Sequence, residues 1–297
     1  MNFDLHNFTA LIEASGYALA FLLGLPFLYF LLKRFHTQRG LGPTFDGAWP
    51  DVCWGRDGDG FLALAGFVVL QTVVAYLVAW ARLRHLWFLP APDEHADPTG
   101  FAIALTLSMA LQWLVVCGLS LLGLRLWRRS NFAALGLSFR RLPAALAAAG
   151  KTFLAVLPLT TGLALLSKLI YVHITSHAPP EHPILKAVAA QPPAADVAVL
   201  VVLTVLVIPF FEELFFRGLI QTTLMRLGRP WLAILLSALV FGFAHSGVPQ
   251  TVPTIFVLGL ALGYVFYRTR SLAASFALHA LFNLLNLTLA LLPELLK

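Results

Sequence analysis

Apolar stretches long enough to cross a bilayer recur along this chain, and they exclude most water-soluble folds. A spanning helix needs about 20 mainly apolar residues. Eight stretches qualify: Ala10–Leu32, Phe61–Trp80, Phe101–Leu124, Thr152–Tyr171, Val197–Phe216, Trp231–Ser246, Val252–Tyr267 and Leu272–Leu292. The sixth and seventh are the shortest. Composition agrees: 59% of the 297 residues are apolar, 11% are charged, and the mean hydropathy is +0.83. Soluble domains run nearer one half apolar and one quarter charged. The expected fold is therefore all-α, a polytopic transmembrane helix bundle of about eight spanning helices. A multi-pass protein of the cell (plasma) membrane is the expected setting.

The formal charge of +6 would suggest nucleic acid in a soluble protein. Here the basic residues sit between the apolar runs, where they orient a membrane protein. With the N-terminus outside, Lys33, Arg34, Arg39, Arg56, Arg125, Arg128, Arg129, Arg140, Arg141 and Lys151 fall inside. Arg217, Arg226, Arg229, Arg268 and Arg270 follow them, whereas only Arg82, Arg84, Lys186 and Lys297 fall outside, with Lys168 near the outer end of the fourth span. The lipid bilayer is the expected partner of this surface, and no nucleic acid is. Met1–Thr9 carries no Lys or Arg, so it lacks the positive segment of a cleavable signal and the first run reads as a retained span. Cys53 and Cys117 predict no disulfide, since one lies in a loop and the other within an apolar run.

The loops offer little chemistry. Asp57-Gly58-Asp59-Gly60 has the composition of a tight turn and lacks the remaining ligands of a calcium loop. His173, His177 and His182 lie in a Pro-rich stretch that reads as a solvated loop. His173 and His177 could share a metal only if a helix persisted through both. The chain divides on this reading into residues 1–150, transmembrane helices of unassigned role, and residues 151–297, a core that carries the reactive groups.

Ionisable residues within spans are functional candidates, because inserting each costs a few kcal/mol, about 2.5–3.5 at the helix centre. Three groups stand out. In Glu212-Glu213-Leu214-Phe215-Phe216-Arg217, Glu213 and Arg217 are i and i+4 in the better order for an ion pair. Glu212 points about 100° away and lacks an adjacent partner. A carboxyl without a counter-ion in a low dielectric is the kind of group that general acid–base chemistry uses. In Phe241-Gly242-Phe243-Ala244-His245, Gly and Ala thin the wall beside the imidazole, so a helix or a substrate can approach. In His279-Ala280-Leu281-Phe282-Asn283, His279 and Asn283 share a face and could hold an oxyanion or polarised carbonyl. Taken singly, each group has a structural reading as well: a helix-end charge cluster, a hydrogen-bonded core histidine, or polar glue between helices.

The order and spacing of the three groups resemble the CPBP family, the CAAX-prenyl-protease and bacteriocin-processing proteins, also termed Abi-like. The similarity covers about residues 197–290 and extends to Phe215-Phe216-Arg217-Gly218 and Phe241-Gly242. It implies an intramembrane endopeptidase acting on a membrane-anchored or lipidated, CaaX-like peptide. Glu212 and His245 would then activate water, His279 and Asn283 would stabilise the oxyanion, and Glu213 with Arg217 would brace the site. No cofactor is expected. Zinc held by Glu212, His245 and His279 is the minority reading, since a His-Glu-x-x-His motif is absent.

Two other classes compete with the protease. A transporter or proton pathway would also use buried Glu, His and Arg, but it predicts polar residues distributed over several helices and, often, an internal repeat. A non-catalytic immunity or scaffold protein would tolerate loss of Glu212. The span boundaries also raise a conflict. They put Glu212 near the inner end of span five and His245 near the outer end of span six, roughly 15 Å or more apart in depth. A working site requires span five to continue past Arg217, or span six to start later.

Overall fold

A computed structural model describes residues 65–74, 77, 97–128, 135–137, 142–227 and 230–295. The first expected span, the Asp57–Gly60 turn and Cys53 lie outside the described residues. The second span is described over 65–74 and at 77. Among the described residues the structure is a helical bundle without strands.

The described helices are α1 (Ala65–Val74), α2 (Pro98–Arg128), α3 (Leu142–Thr175), α4 (Pro183–Ala189), α5 (Ala194 to Leu227), α6 (Pro230–Ala244), α7 (Val252–Thr269) and α8 (Leu272–Leu295). Helices α2, α3, α5, α8 and the Pro249–Thr269 segment containing α7 are long and apolar enough to cross a bilayer. Helix α6 has 15 residues, about 22 Å of rise. It is thus shorter than a hydrocarbon core of about 30 Å, as its sequence suggested. Large apolar side chains stay exposed on one stripe of α5, at Val199, Val202, Leu206 and Phe210. On a membrane helix that stripe is the lipid face.

Helix α5 organises the bundle, and it differs from the expected Val197–Phe216 span. It runs on past Arg217 to Leu227 as alternating segments: α-helical Ala194–Val201, π-helical Val202–Val207, α-helical Ile208–Glu213, π-helical Leu214–Gln221 and α-helical Thr222–Leu227. π-segments are rare and concentrate at functional sites; here two of them flank the glutamate pair. Pro209 explains part of this. In the first π-segment the Ile208 N–H reaches back to the Leu203 carbonyl. The next donor in that register would be residue 209, which as proline has none.

Helices α6 and α7 pack closely, and α7 and α8 both rest on α3. Two glycines set the α7 contacts. A Cβ at Gly259 would meet Ala238 at 3.1 Å, and one at Gly263 would meet Gln221 Oε1 at 2.8 Å. Small residues spaced four apart let helix backbones approach in lipid. Gly242 plays the same part on α6, where the approaching neighbour is α7 at Phe256. Between α2 and α3, Gly136 adopts φ +80° against the Phe266 ring, and its carbonyl accepts from Leu272 N at 2.9 Å. That contact fixes the α7–α8 turn, where Arg270 is left-handed at φ 51°.

Candidate active site

The three polar groups converge through α5, α6 and α8. Arg217 and Glu213 are fully buried, and their Nε and Oε2 atoms lie 3.3 Å apart, the i, i+4 pair expected from sequence. Arg217 also donates from Nη2 to the Gly259 carbonyl at 3.2 Å and lies over the Phe241 ring, 4.5 Å from its centroid. One turn further on, Gln221 donates from Nε2 to the Gly263 carbonyl at 3.0 Å. These parallel contacts show α5 and α7 running in the same direction. A buried guanidinium with one charge partner is stable only where its other donors are met. The α7 carbonyl and the aromatic face supply part of that.

His279 of α8 joins the two glutamates. Its Nδ1 is 3.0 Å from Glu213 Oε1, and its Nε2 is 3.8 Å from Glu212 Oε2. The partner of Glu212, which α5 does not provide, therefore arrives from α8. The sequence reading paired His279 with Asn283 and left its contact with both glutamates unseen.

Asn283 sits one turn further along α8. Its Nδ2 donates to the Thr204 carbonyl at 2.9 Å, the carbonyl whose donor in the π register would be residue 209. Asn283 thus fills the gap that Pro209 leaves. An amide nitrogen carries two N–H groups, so one donor remains beyond this bond.

His245 follows the end of α6. Its Nδ1 is 2.8 Å from the Phe241 carbonyl, a bond in which Nδ1–H donates and Nε2 keeps its lone pair. The Phe241 ring contacts both imidazoles, at centroid distances of 4.8 Å to His245 and 5.6 Å to His279. An aromatic chain from Trp113 through Phe215 and Phe216 to Phe241 backs the cluster.

The depth conflict resolves through the length of α5. Gly259 faces Ala238 and Gly263 faces Ile234, so α6 runs antiparallel to α7 and hence to α5. Ser237 donates to the Phe216 carbonyl at 3.0 Å. His245, eight residues beyond Ser237, reaches the level of Ile208, about 6 Å from Glu212 along the axis. Glu212, His279 and His245 therefore lie within about 6 Å of depth, and Asn283 lies further along α5 at the Thr204 carbonyl. The roughly 15 Å separation of Glu212 and His245 implied by the shorter span is corrected.

Among the described residues, no three His, Cys, Asp or Glu side chains are gathered closely enough to hold a metal ion. Glu212 and His279 offer two donors, and His245 does not complete the set. No step below runs through a metal.

The loop histidines separate. Helix α3 ends at Thr175, and Ser176 turns left-handed at φ 58°, so His173 and His177 do not share a helix. His182 caps α4, a helix that the solvated-loop reading did not contain. Its signals were Pro183 at the first turn and Ile184 with Val188 at i, i+4, both now buried.

Residues 194–285 match the family model of type II CAAX prenyl endopeptidases, described as Rce1-like. The match covers less than half of the chain and supports assigning this segment to the CPBP/CAAX proteases. No curated protein and no solved structure matches the chain. The CPBP segment contains α5, α6, α7 and α8 through Leu285, and thus every group brought together above. The match supports a CAAX-type intramembrane endopeptidase in general, in accord with the helices long enough to span. The chain is an integral membrane protein by the same two observations.

Proposed function

We propose that this protein is an intramembrane endopeptidase that hydrolyses a peptide bond in a membrane-anchored or lipidated, CaaX-like substrate by a glutamate mechanism. The observation that carries the reading is the buried contact of Glu212 with His279, which Glu213 and Arg217 hold from the other side. Water in reach of Glu212 and the Nε2 lone pair of His245 would lose a proton as its oxygen attacks the scissile carbonyl carbon. The carbonyl π electrons would move to oxygen. His279 would donate from Nε2 to that oxyanion, and the second N–H of Asn283 would donate alongside it. The proton taken by Glu212 would pass to the departing amine as the C–N bond breaks. Glu213 would orient His279 through its Nδ1 contact, and Arg217 would hold Glu213 in place.

The test is proteolysis of lipidated peptides by purified protein in liposomes. Glu212→Ala and His245→Ala should each lose turnover by about 10²–10⁴-fold, with thermal stability retained and a chelator without effect. Turnover that survives Glu212→Ala would sink the assignment. Activity lost to chelator and restored by zinc would reverse the mechanism.

A further inference from the structure

His182 lies outside the three motifs, at the start of a short helix that packs against two of the helices carrying them. Helix α4 presses Ile184 and Val188 against Val205 of α5 and Leu287 of α8. Both contacts lie on the Asn283 side of the glutamates. A second tie links the loop to the segment after His245, where Gln250 Nε2 donates to the Pro180 carbonyl at 2.8 Å. The His182 ring sits within electrostatic reach of His245.

The hydrogen bonds determine what each ring can offer. His182 Nδ1 accepts from the Ile184 N–H at 3.3 Å, so in the neutral ring the proton is on Nε2. His245 has the opposite tautomer, with Nδ1–H bound to the Phe241 carbonyl and a bare Nε2. His182 is exposed as a residue, but burial about its ring, and then His245, hold its pKa below the ordinary histidine range. It is thus a neutral ring with one directed donor and a spent acceptor, beside an imidazole read as water-activating. An extended peptide presents carbonyl oxygens at regular intervals, and each requires a donor when taken out of water.

We propose that His182 is a substrate-positioning residue whose Nε2–H donates to a carboxyl or carbonyl oxygen of the peptide lying across His245. This rests on the protease reading above. The oxygen belongs either to the peptide backbone or to the terminal carboxylate. A helix cap alone would also fix His182, so the test separates the two roles. Asn caps a helix N-terminus well but is too short to carry a donor to the Nε2 position, whereas Gln carries its amide there.

Steady-state cleavage in liposomes is compared for wild type, His182→Ala, His182→Asn and His182→Gln, using one peptide with a free C-terminal carboxylate and its amide. Binding of the same peptides to Glu212→Ala protein, with and without His182→Asn, is measured in parallel. The expected result is a KM raised about tenfold in the Ala and Asn variants, with kcat within about twofold and KM restored by Gln. Binding to the Glu212→Ala protein should weaken about tenfold when His182→Asn is added. A shift confined to the free acid assigns the terminal carboxylate; a shift for both peptides assigns a backbone carbonyl. Wild-type KM in the Asn variant would reduce His182 to a cap and overturn the proposal. So would peptide binding that is absent or insensitive to His182. Cleavage that persists in Glu212→Ala would instead overturn the protease site itself.

Discussion

The polar cluster has two sides built on different principles. On the inner side, Glu213, Arg217, Gln221 and His279 are almost wholly removed from solvent, and nearly every partner is another fixed group: a carboxylate, an α7 carbonyl or an aromatic face. On the outer side, His245 and Asn283 are only partly covered, and each uses one polar atom on a backbone carbonyl while keeping another in reserve. Glu212 lies at the seam, buried to 5% exposure and facing His279 without a hydrogen bond. The contrast teaches a division of labour. Buried charges hold one another on the inner side, and the less buried His245 and Asn283 each keep one polar atom that the proposed chemistry would use.

That division is broken most directly by changing one residue on each side. Glu212→Gln keeps the shape of the seam and removes its base, so kcat should fall about 10³-fold with little change in thermal stability. Arg217→Met removes a partner from the inner network and leaves Glu213 as an uncompensated buried charge. Breaking such a pair typically destabilises by about 3–5 kcal/mol, so thermal unfolding in detergent should come markedly earlier. Adding Glu213→Gln should recover part of the loss, because the stranded charge is then gone. If Arg217→Met left stability intact and abolished turnover alone, the inner side would be part of the reacting machinery and the contrast would fail.

Much of this was legible in the sequence, and the reasons for the rest are physical. The i, i+4 spacing of Glu213 and Arg217 predicts their pair because both lie on one helix. The His279 contact to Glu213 bridges residues 66 apart, and no local period encodes it or the contact to Glu212. The length of α5 was misjudged at Phe216 because Arg217 and Gln221 look like the polar end of a span. In the fold, both are buried against α7 carbonyls that close packing at Gly259 and Gly263 brings within reach. The π-segments have no compositional signal, although Pro209 marks one of them. Helix α4 is too short for periodicity to announce it, so its loop read as solvated.

Close packing gives a smaller test of the inner side. At Gly259 an added Cβ would stand 3.1 Å from Ala238, which is backbone and side chain of α6 rather than a flexible tip. Gly259→Val should therefore destabilise by about 1–3 kcal/mol through overpacking. It should also move the carbonyl that receives Arg217. A denaturation series comparing Gly259→Val with Gly247→Val separates the two sides, because a Cβ at Gly247 meets nothing within 4 Å and should change stability little. Equal losses at both glycines would mean that the α6–α7 seam is no tighter than the outer loop.

The finest distinction concerns Asn283, which belongs to both sides through its two N–H groups. If one N–H only replaces the donor missing at Pro209, then Pro209→Ala restores a backbone N–H and makes that bond dispensable. Asn283→Ala alone should then lower stability by about 1 kcal/mol, the net worth of a buried hydrogen bond, and lower kcat through the lost oxyanion donor. In the Pro209→Ala background the same substitution should cost less stability while kcat stays low, because the second N–H has no substitute. The double-mutant cycle reads the two roles separately. Coupling in stability without coupling in kcat supports one structural and one catalytic N–H. Recovery of kcat together with stability would show that Asn283 acts only by holding the shape of α5.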